Sequence, residues 1–305
     1  MLFFILYKIG ELVALCLPVR ISYKIASLIA TIKYYLSVGE RREIIENLRF
    51  VLPQADTKAL KRCSREIPAN FSRYLVDFFR FRKIDRAYVE EHVVVEGANY
   101  LEDGLAKGKG VILLSAHLGS WELGGAVIAM LGYPISVLAL DHKNKLVNNF
   151  FINQRRMKGE QIISINFAVR RAVSALANNE FIAIVGDKDF TNTGIVVKFF
   201  GKDTLLPKGP AVISLKTGAA IVPGFLIRLE GDKFKLFFEK PVECASEGDF
   251  EKDVVKLTQQ CTSRLEDCIR RYSTQWYCFR RFWLNENDPS AAAQGHSERA
   301  KRVEL

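Results

Sequence analysis

GVILLSAHLGSWELGG, residues 110–125, passes from an unbroken apolar run through a histidine and a glycine into a segment that opens with Ser120 and Trp121. The apolar part has the length of a buried strand, and the change at Gly119 and Ser120 marks a turn followed by a helix N-cap. His117 therefore sits just past a strand end. Glu122, five positions on, falls in the first turn of the next helix, where the dipole favours a carboxylate. The spacing alone is weak, because four histidines and 34 acidic residues in 305 positions give such a pair about 0.4 times by chance. The address carries more weight: in α/β sheets ligands gather beyond the carboxyl ends of strands.

The same alternation extends on both sides. From residue 93 the short apolar runs VVVEG, VILLSA, ISVLAL, QIISI and FIAIVGD alternate with the amphipathic segments LVNNFFINQRRM and FAVRRAVSALANN. VVKFF, a short helix at GPAVISLKT, the strands AIVPGFLIRLE and KFKLFFEKPV, and a helix from Phe250 to Tyr272 complete the pattern. Strand and helix in turn predict an α/β fold with helices flanking the sheet, here over residues 91–285. Residues 39–90 read as helical, with Ile44, Ile45, Leu48 and Val51 on one stripe and Pro53 ending it. Within them FFRFRKIDR, residues 78–86, alternates aromatics with cations, as a solvated face or as a cradle for headgroup phosphates. Residues 286–305 have no periodicity and read as a disordered tail.

The N-terminus, MLFFILYKIGELVALCLPVR, is strongly apolar but interrupted by Lys8 and Glu11, without a basic n-region or a small-x-small cleavage site. It is expected to remain on the protein. ISYKIASLIATIKYYLS follows, with Lys24 and Lys33 spaced to reach lipid headgroups. Residues 1–38 are thus expected to form a membrane-associated helical anchor, with a single crossing and an interfacial helix both open. The formal net charge of +10 favours an anionic partner. The apolar N-terminus points to a membrane surface, and no recognisable module points to nucleic acid. The six cysteines form no paired C-x-x-C knuckles and read as reduced thiols, and neither a metal site nor a cofactor is expected.

A carboxylate beside an imidazole holds its tautomer and stabilises the imidazolium formed when the other nitrogen takes a proton from a hydroxyl. Glu122 is expected to be that carboxylate, folded back to His117 by the loop. G-x-S-x-G is absent, and so is the second histidine of a zincin.

SAHLGSWELGG, the acids of VGDKDF, KFFGKDTLLPKGPAVISLKTGAAIVPGF and the closing QWYCFRRFW occur in one order. Together they resemble the late (secondary) acyltransferases of lipid A biosynthesis and the related bacterial phosphatidylinositol mannoside acyltransferases, from about residue 3 to 285. The resemblance implies a glycerolipid-acyltransferase-like mixed sheet and acyl transfer from a thioester, on acyl carrier protein or coenzyme A, to a hydroxyl of a membrane glycolipid. A lipid A precursor is the first acceptor it implies, at the cytoplasmic face of the inner membrane. A phosphatidylinositol mannoside-type acyltransferase using acyl-CoA and a catalytically silent lipid-binding protein are the alternatives. The family's H-x-x-x-x-E/D motif makes His117 and Glu122 the implied catalytic pair. Either Arg155 or Arg156 matches a supporting arginine, and Asp187 and Asp189 match an acidic pair that orients His117, binds sugar hydroxyls or fixes the loop. Many lipid A enzymes carry a histidine before the arginine pair, whereas this chain has Phe279 before Arg280 and Arg281.

Overall fold

The computed structural model describes residues 2–283 except 166–167, 191–192 and 244–246. The segment predicted as a tail and Cys244 lie outside the described residues, and the other five cysteines carry free thiols. Five helices open the chain: α1 (Leu2–Cys16), α2 (Val19–Leu36), α3 (Val38–Val51), α4 (Thr57–Phe79) and α5 (Arg86–His92). The alternating part then runs β1 (Val93–Glu96), α6 (Asn99–Leu105), β2 (Val111–Ser115), α7 (Trp121–Met130), β3 (Ile135–Ala139), α8 (Lys145–Arg156), β4 (Gln161–Ser164), α9 (Ala168–Ala177) and β5 (Phe181–Val185). After it come β6 (Ile195–Phe199), β7 (Lys202–Leu206), α10 (Gly209–Thr217), β8 (Ala220–Arg228), β9 (Phe234–Phe238) and α11 (Phe250–Arg271). The expected α/β fold is present. Helix α6 and strand β7 were not read from the sequence, the first too short for a period and the second, KDTLL, too polar for a strand signal.

Seven strands form one mixed sheet in the order β1-β9-β8-β2-β5-β3-β4, and β6 and β7 form a separate antiparallel hairpin. From β8 to β4 neighbouring strands are parallel; β9 runs antiparallel to β8 and parallel to β1. Strand β2 is central and apolar at successive positions because both its faces are covered. Val111 and Leu113 pack with residues of α4, α7 and α8, while Ile112 and Leu114 pack with residues of α9, α10 and α11.

No helix of the described residues is long and apolar enough to cross a membrane. Helices α1 and α2 are tied to the rest of the chain by buried polar contacts. Glu11, which breaks the apolar run, is turned inward: it is buried, accepts a hydrogen bond from Gln154 Nε2 at 3.1 Å and pairs with Lys8. Tyr23 of α2 bonds Asp77, which pairs with Arg228 of β8, and the Tyr34 hydroxyl lies 2.6 Å from Ser64 Oγ. Burial of Asp77 raises its carboxyl to about 6, although Arg228 opposes the shift. The outer faces stay apolar, with Leu12, Leu28 and Ile29 each 62% exposed. In FFRFRKIDR, Phe78, Phe79 and Phe81 are buried, and Arg80 donates to the backbone oxygens of Ala14 and Leu17 at the end of α1. That cation holds a helix end.

The turn between β2 and α7 leaves no room for a side chain. Gly119 has φ +64°, and a Cβ there would stand 2.0 Å from the backbone oxygen of Leu226. Gly108 has nearly the same φ, +66°, but open space around it. Gly119→Ala is therefore expected to destabilise clearly more than Gly108→Ala, which carries only the backbone strain of about 1 kcal/mol. Denaturant unfolding of the two variants checks this, and equal losses would mean that the turn tolerates the collision.

Candidate active site

Register places the first two residues of the site. Strands β2 and β5 are parallel neighbours with Ser115 opposite Val185. Two residues beyond each end the chains carry His117 and Asp187, which therefore emerge side by side. Asp187 is fully buried, and its Oδ1 lies 2.7 Å from His117 Nδ1 while also accepting the His117 backbone N–H at 3.1 Å. Its other oxygen, Oδ2, accepts Trp276 Nε1–H at 2.9 Å. Burial alone would raise this carboxyl. The His117 charge, its hydrogen bond, Lys188 and the Trp276 N–H outweigh burial and hold Asp187 well below the usual carboxylate range. The ionised carboxylate fixes Nδ1 as the protonated nitrogen and leaves Nε2 to accept a proton.

The residues after α11 act as a strap over this loop. Gly119 N–H donates to Gln275 O at 2.9 Å, Tyr277 N–H donates to His117 O at 2.9 Å, and Lys188 Nζ donates to Tyr277 O at 2.8 Å. Trp121 and Phe190 meet the imidazole edge-on, at ring separations of 5.2 and 5.8 Å, and Trp121 stacks on Tyr74 at 4.2 Å. Trp276 was not singled out from the sequence. Its signal in the sequence was its place in the closing QWYCFRRFW.

Glu122 does not orient His117, contrary to the sequence expectation. It stands in the first turn of α7, and Arg155 from α8 grips it in a fork, Nε to Oε2 at 2.8 Å and Nη2 to Oε1 at 2.6 Å. Burial would lower the Arg155 pKa, but the charge and hydrogen bonds of Glu122 raise it overall, so the guanidinium stays charged. Arg156 is exposed on the same helix, so of the two arginines Arg155 joins the site. Asp189 accepts Gly194 N–H at 2.9 Å and thereby ties the loop after β5. Ser120 occupies the N-cap position of α7, yet its side chain makes no capping bond.

His117, Glu122 and Arg155 line a cavity of about 600 Å³. The exposed Arg280 and the half-buried Lys188 mark its solvent end, while the buried Leu113, Leu226, Leu236 and Ile128 line its inner part. Such a space takes an extended apolar group with a polar head near His117. Among the described residues no cluster of histidine, cysteine or acids could hold a metal ion.

Residues 1–285 match the family described as bacterial lipid A biosynthesis acyltransferase. A phosphatidylinositol mannoside acyltransferase of Mycobacterium tuberculosis is 27% identical over 86% of this chain and 83% of its own length. A lipid A biosynthesis palmitoleoyltransferase of Escherichia coli is 25% identical over 67% of this chain and 68% of its own. The solved structure of the 1-acyl-sn-glycerophosphate acyltransferase PlsC from Thermotoga maritima matches 80% of this chain and 98% of that one, at 19% identity and a TM-score of 0.34. That last likeness is too slight to carry an argument. The chain belongs to the bacterial lipid A biosynthesis acyltransferase family and is an acyltransferase.

Because Asp187 is held below its ordinary value of 3.8, it contributes stability that is full above that value and lost as pH falls towards the folded pKa. Asp187→Asn lacks this dependence. The stability gap between wild type and variant is expected to be constant near neutrality and to shrink below about pH 4, as read by denaturant unfolding across pH. A gap that widened in acid would contradict the ionised assignment.

Proposed function

We propose that this family member moves a fatty acyl chain from an acyl thioester, on acyl carrier protein or coenzyme A, to a hydroxyl of a membrane glycolipid, with a lipid A precursor as the first acceptor. The observation that carries the reading is a histidine oriented by a buried, ionised aspartate on the wall of an apolar cavity. His117 Nε2 takes the proton of the acceptor hydroxyl as its oxygen attacks the thioester carbonyl. The resulting imidazolium is stabilised by Asp187. When the tetrahedral adduct collapses, the C–S bond breaks and the leaving thiolate takes the proton from Nε2. The ester remains on the acceptor, and no protein acyl intermediate is needed. The Glu122–Arg155 pair acts as a positioning element that fixes α7 and α8 around the cavity, since both partners are committed to each other. Lys188, Arg280 and Arg281 contribute positive charge to the cavity lining, which suits the phosphate of either thioester carrier.

The enzyme is proposed to work at the cytoplasmic face of the inner membrane. The support is the outer face of α1 and α2, where Ile5, Leu6, Ile9, Leu12, Leu28 and Ile29 are exposed beside the exposed cations Arg20, Lys24 and Lys33. Tyr7 of α1 also lines the cavity, so the surface offered to lipid adjoins the space offered to the alkyl chain. A phosphatidylinositol mannoside acceptor is the second reading, favoured by the 86% coverage of the mycobacterial relative against 67% for the Escherichia coli one.

Purified protein incubated with acyl-CoA or acyl carrier protein thioester and each candidate glycolipid is expected to add one acyl mass to one of them, read by mass spectrometry. His117→Ala should lower that rate by on the order of 100- to 10,000-fold with unchanged thermal unfolding. Near-wild-type turnover in the variant would defeat the base assignment.

Removal of residues 1–36 is not a clean test of membrane binding, because Tyr23 and Tyr34 are part of the packed body. Leu28→Asp combined with Ile29→Asp changes only an exposed face. Co-sedimentation with anionic vesicles is expected to fall several-fold, and what remains should weaken in high salt, which screens the lysines and arginines. Equal recovery of variant and wild type would remove this face from the account.

A further inference from the structure

Glu160 is the buried group that the chemistry above leaves unused. It follows Gly159 between α8 and β4, is 3% exposed, and lines the cavity. Neither of its carboxyl oxygens has a hydrogen-bond partner among the described residues. The neighbouring guanidinium, Arg155, spends its fork on Glu122. On α7 the residue facing the carboxyl is Gly125, where a Cβ would stand 2.5 Å from Glu160 Oε1, so the helix is bare just where the carboxyl approaches it. Ile128, Val137 and Leu138 line the same cavity. Burial and the negative charge of Glu122 push the Glu160 carboxyl well above the usual carboxylate range, although Arg155 opposes the shift.

A buried polar group without a partner is costly, and its cost falls when a ligand supplies one. A sugar would leave most of its hydroxyls unpaired among Ile128, Val137 and Leu138. An alkyl chain bearing a single polar substituent matches both the apolar wall and the one carboxyl. We infer that Glu160 is a specificity-determining residue for the acyl group, its carboxyl recognising a hydroxyl carried on the alkyl chain within the cavity. This rests on the reading of the cavity as the acyl-binding space. It goes further by assigning the chemical class of acyl group preferred.

The test measures binding, which does not depend on knowing the acceptor. Acyl-CoA thioesters of one chain length, plain or carrying a single hydroxyl scanned along the chain, are titrated into full-length protein by calorimetry. At one hydroxyl position wild type is expected to bind at least about tenfold tighter than to the plain chain. Glu160→Gln, which has a donor and an acceptor in the same volume, should retain that preference, and Glu160→Leu should abolish it. Equal affinities for plain and hydroxylated chains in wild type at every position would overturn the inference without needing any variant, as would a preference that survives in Glu160→Leu. Tight binding with the hydroxyl preference but no transfer to any glycolipid would instead strike at the proposed acceptor and leave the role of Glu160 standing.

Discussion

The site depends on one alignment: two parallel strands in register, each ending two residues before a polar side chain. With Ser115 opposite Val185, the sheet's own hydrogen bonds deliver His117 and Asp187 to the same point. A slip of one residue would send either side chain to the other face. The contact between Nδ1 and Oδ1 at 2.7 Å therefore inherits the rigidity of two strands that are paired on both sides. The strap of Gln275, Trp276 and Tyr277 adds closure from outside: two backbone bonds pin the His117 loop and the indole fills the second oxygen of Asp187. A carboxylate left with one bond in that dry setting would be poorly satisfied; with three it stays charged.

Around that alignment the other buried charges divide by partner. Glu122 and Arg155 face each other in a fork on adjacent helices, so each offsets the desolvation of the other, and removing one alone would strand a buried charge at a cost of about 3–5 kcal/mol. Asp77 and Arg228 do the same between α4 and β8, with Tyr23 drawing α2 onto them. Glu11 joins α1 to α8 through Gln154. The polar breaks in the apolar N-terminus are thus its attachment points to the body. What remains outward on α1 and α2 is the apolar face and the lysines and arginines, the surface proposed to meet lipid.

The sheet was legible because its strands are near-continuous runs such as VILLS and FIAIV, which only a sheet covered on both faces accommodates at this length. The position of His117 at a strand end was legible for the same reason. Its partner was legible only through the family resemblance, as one of three uses for the acids of VGDKDF. Sequence spacing favoured Glu122, five residues away, but a helix first turn points its carboxylate where the next helix can reach it, and Arg155 does. Asp187 is seventy residues distant and is brought in by strand pairing, which a single sequence does not reveal. The choice between Arg155 and Arg156 had the same cause, since only packing decides which of two adjacent helical residues faces inward. Trp276 was hidden because an indole in an aromatic-rich closing motif reads first as core. Helix α6 and strand β7 fell below the length and apolarity at which periodicity speaks.

The central claim is that Asp187 fixes the His117 imidazole with its proton on Nδ1 and its lone pair on Nε2. Nitrogen-15 NMR of histidine-labelled protein, with His117 assigned by comparison with His117→Ala, measures this directly. In the neutral form of the ring the proton is expected on Nδ1, a tautomer that loses its dominance in Asp187→Asn. A resonance pattern with the proton on Nε2 in the wild type, or a tautomer indifferent to Asp187→Asn, would contradict it.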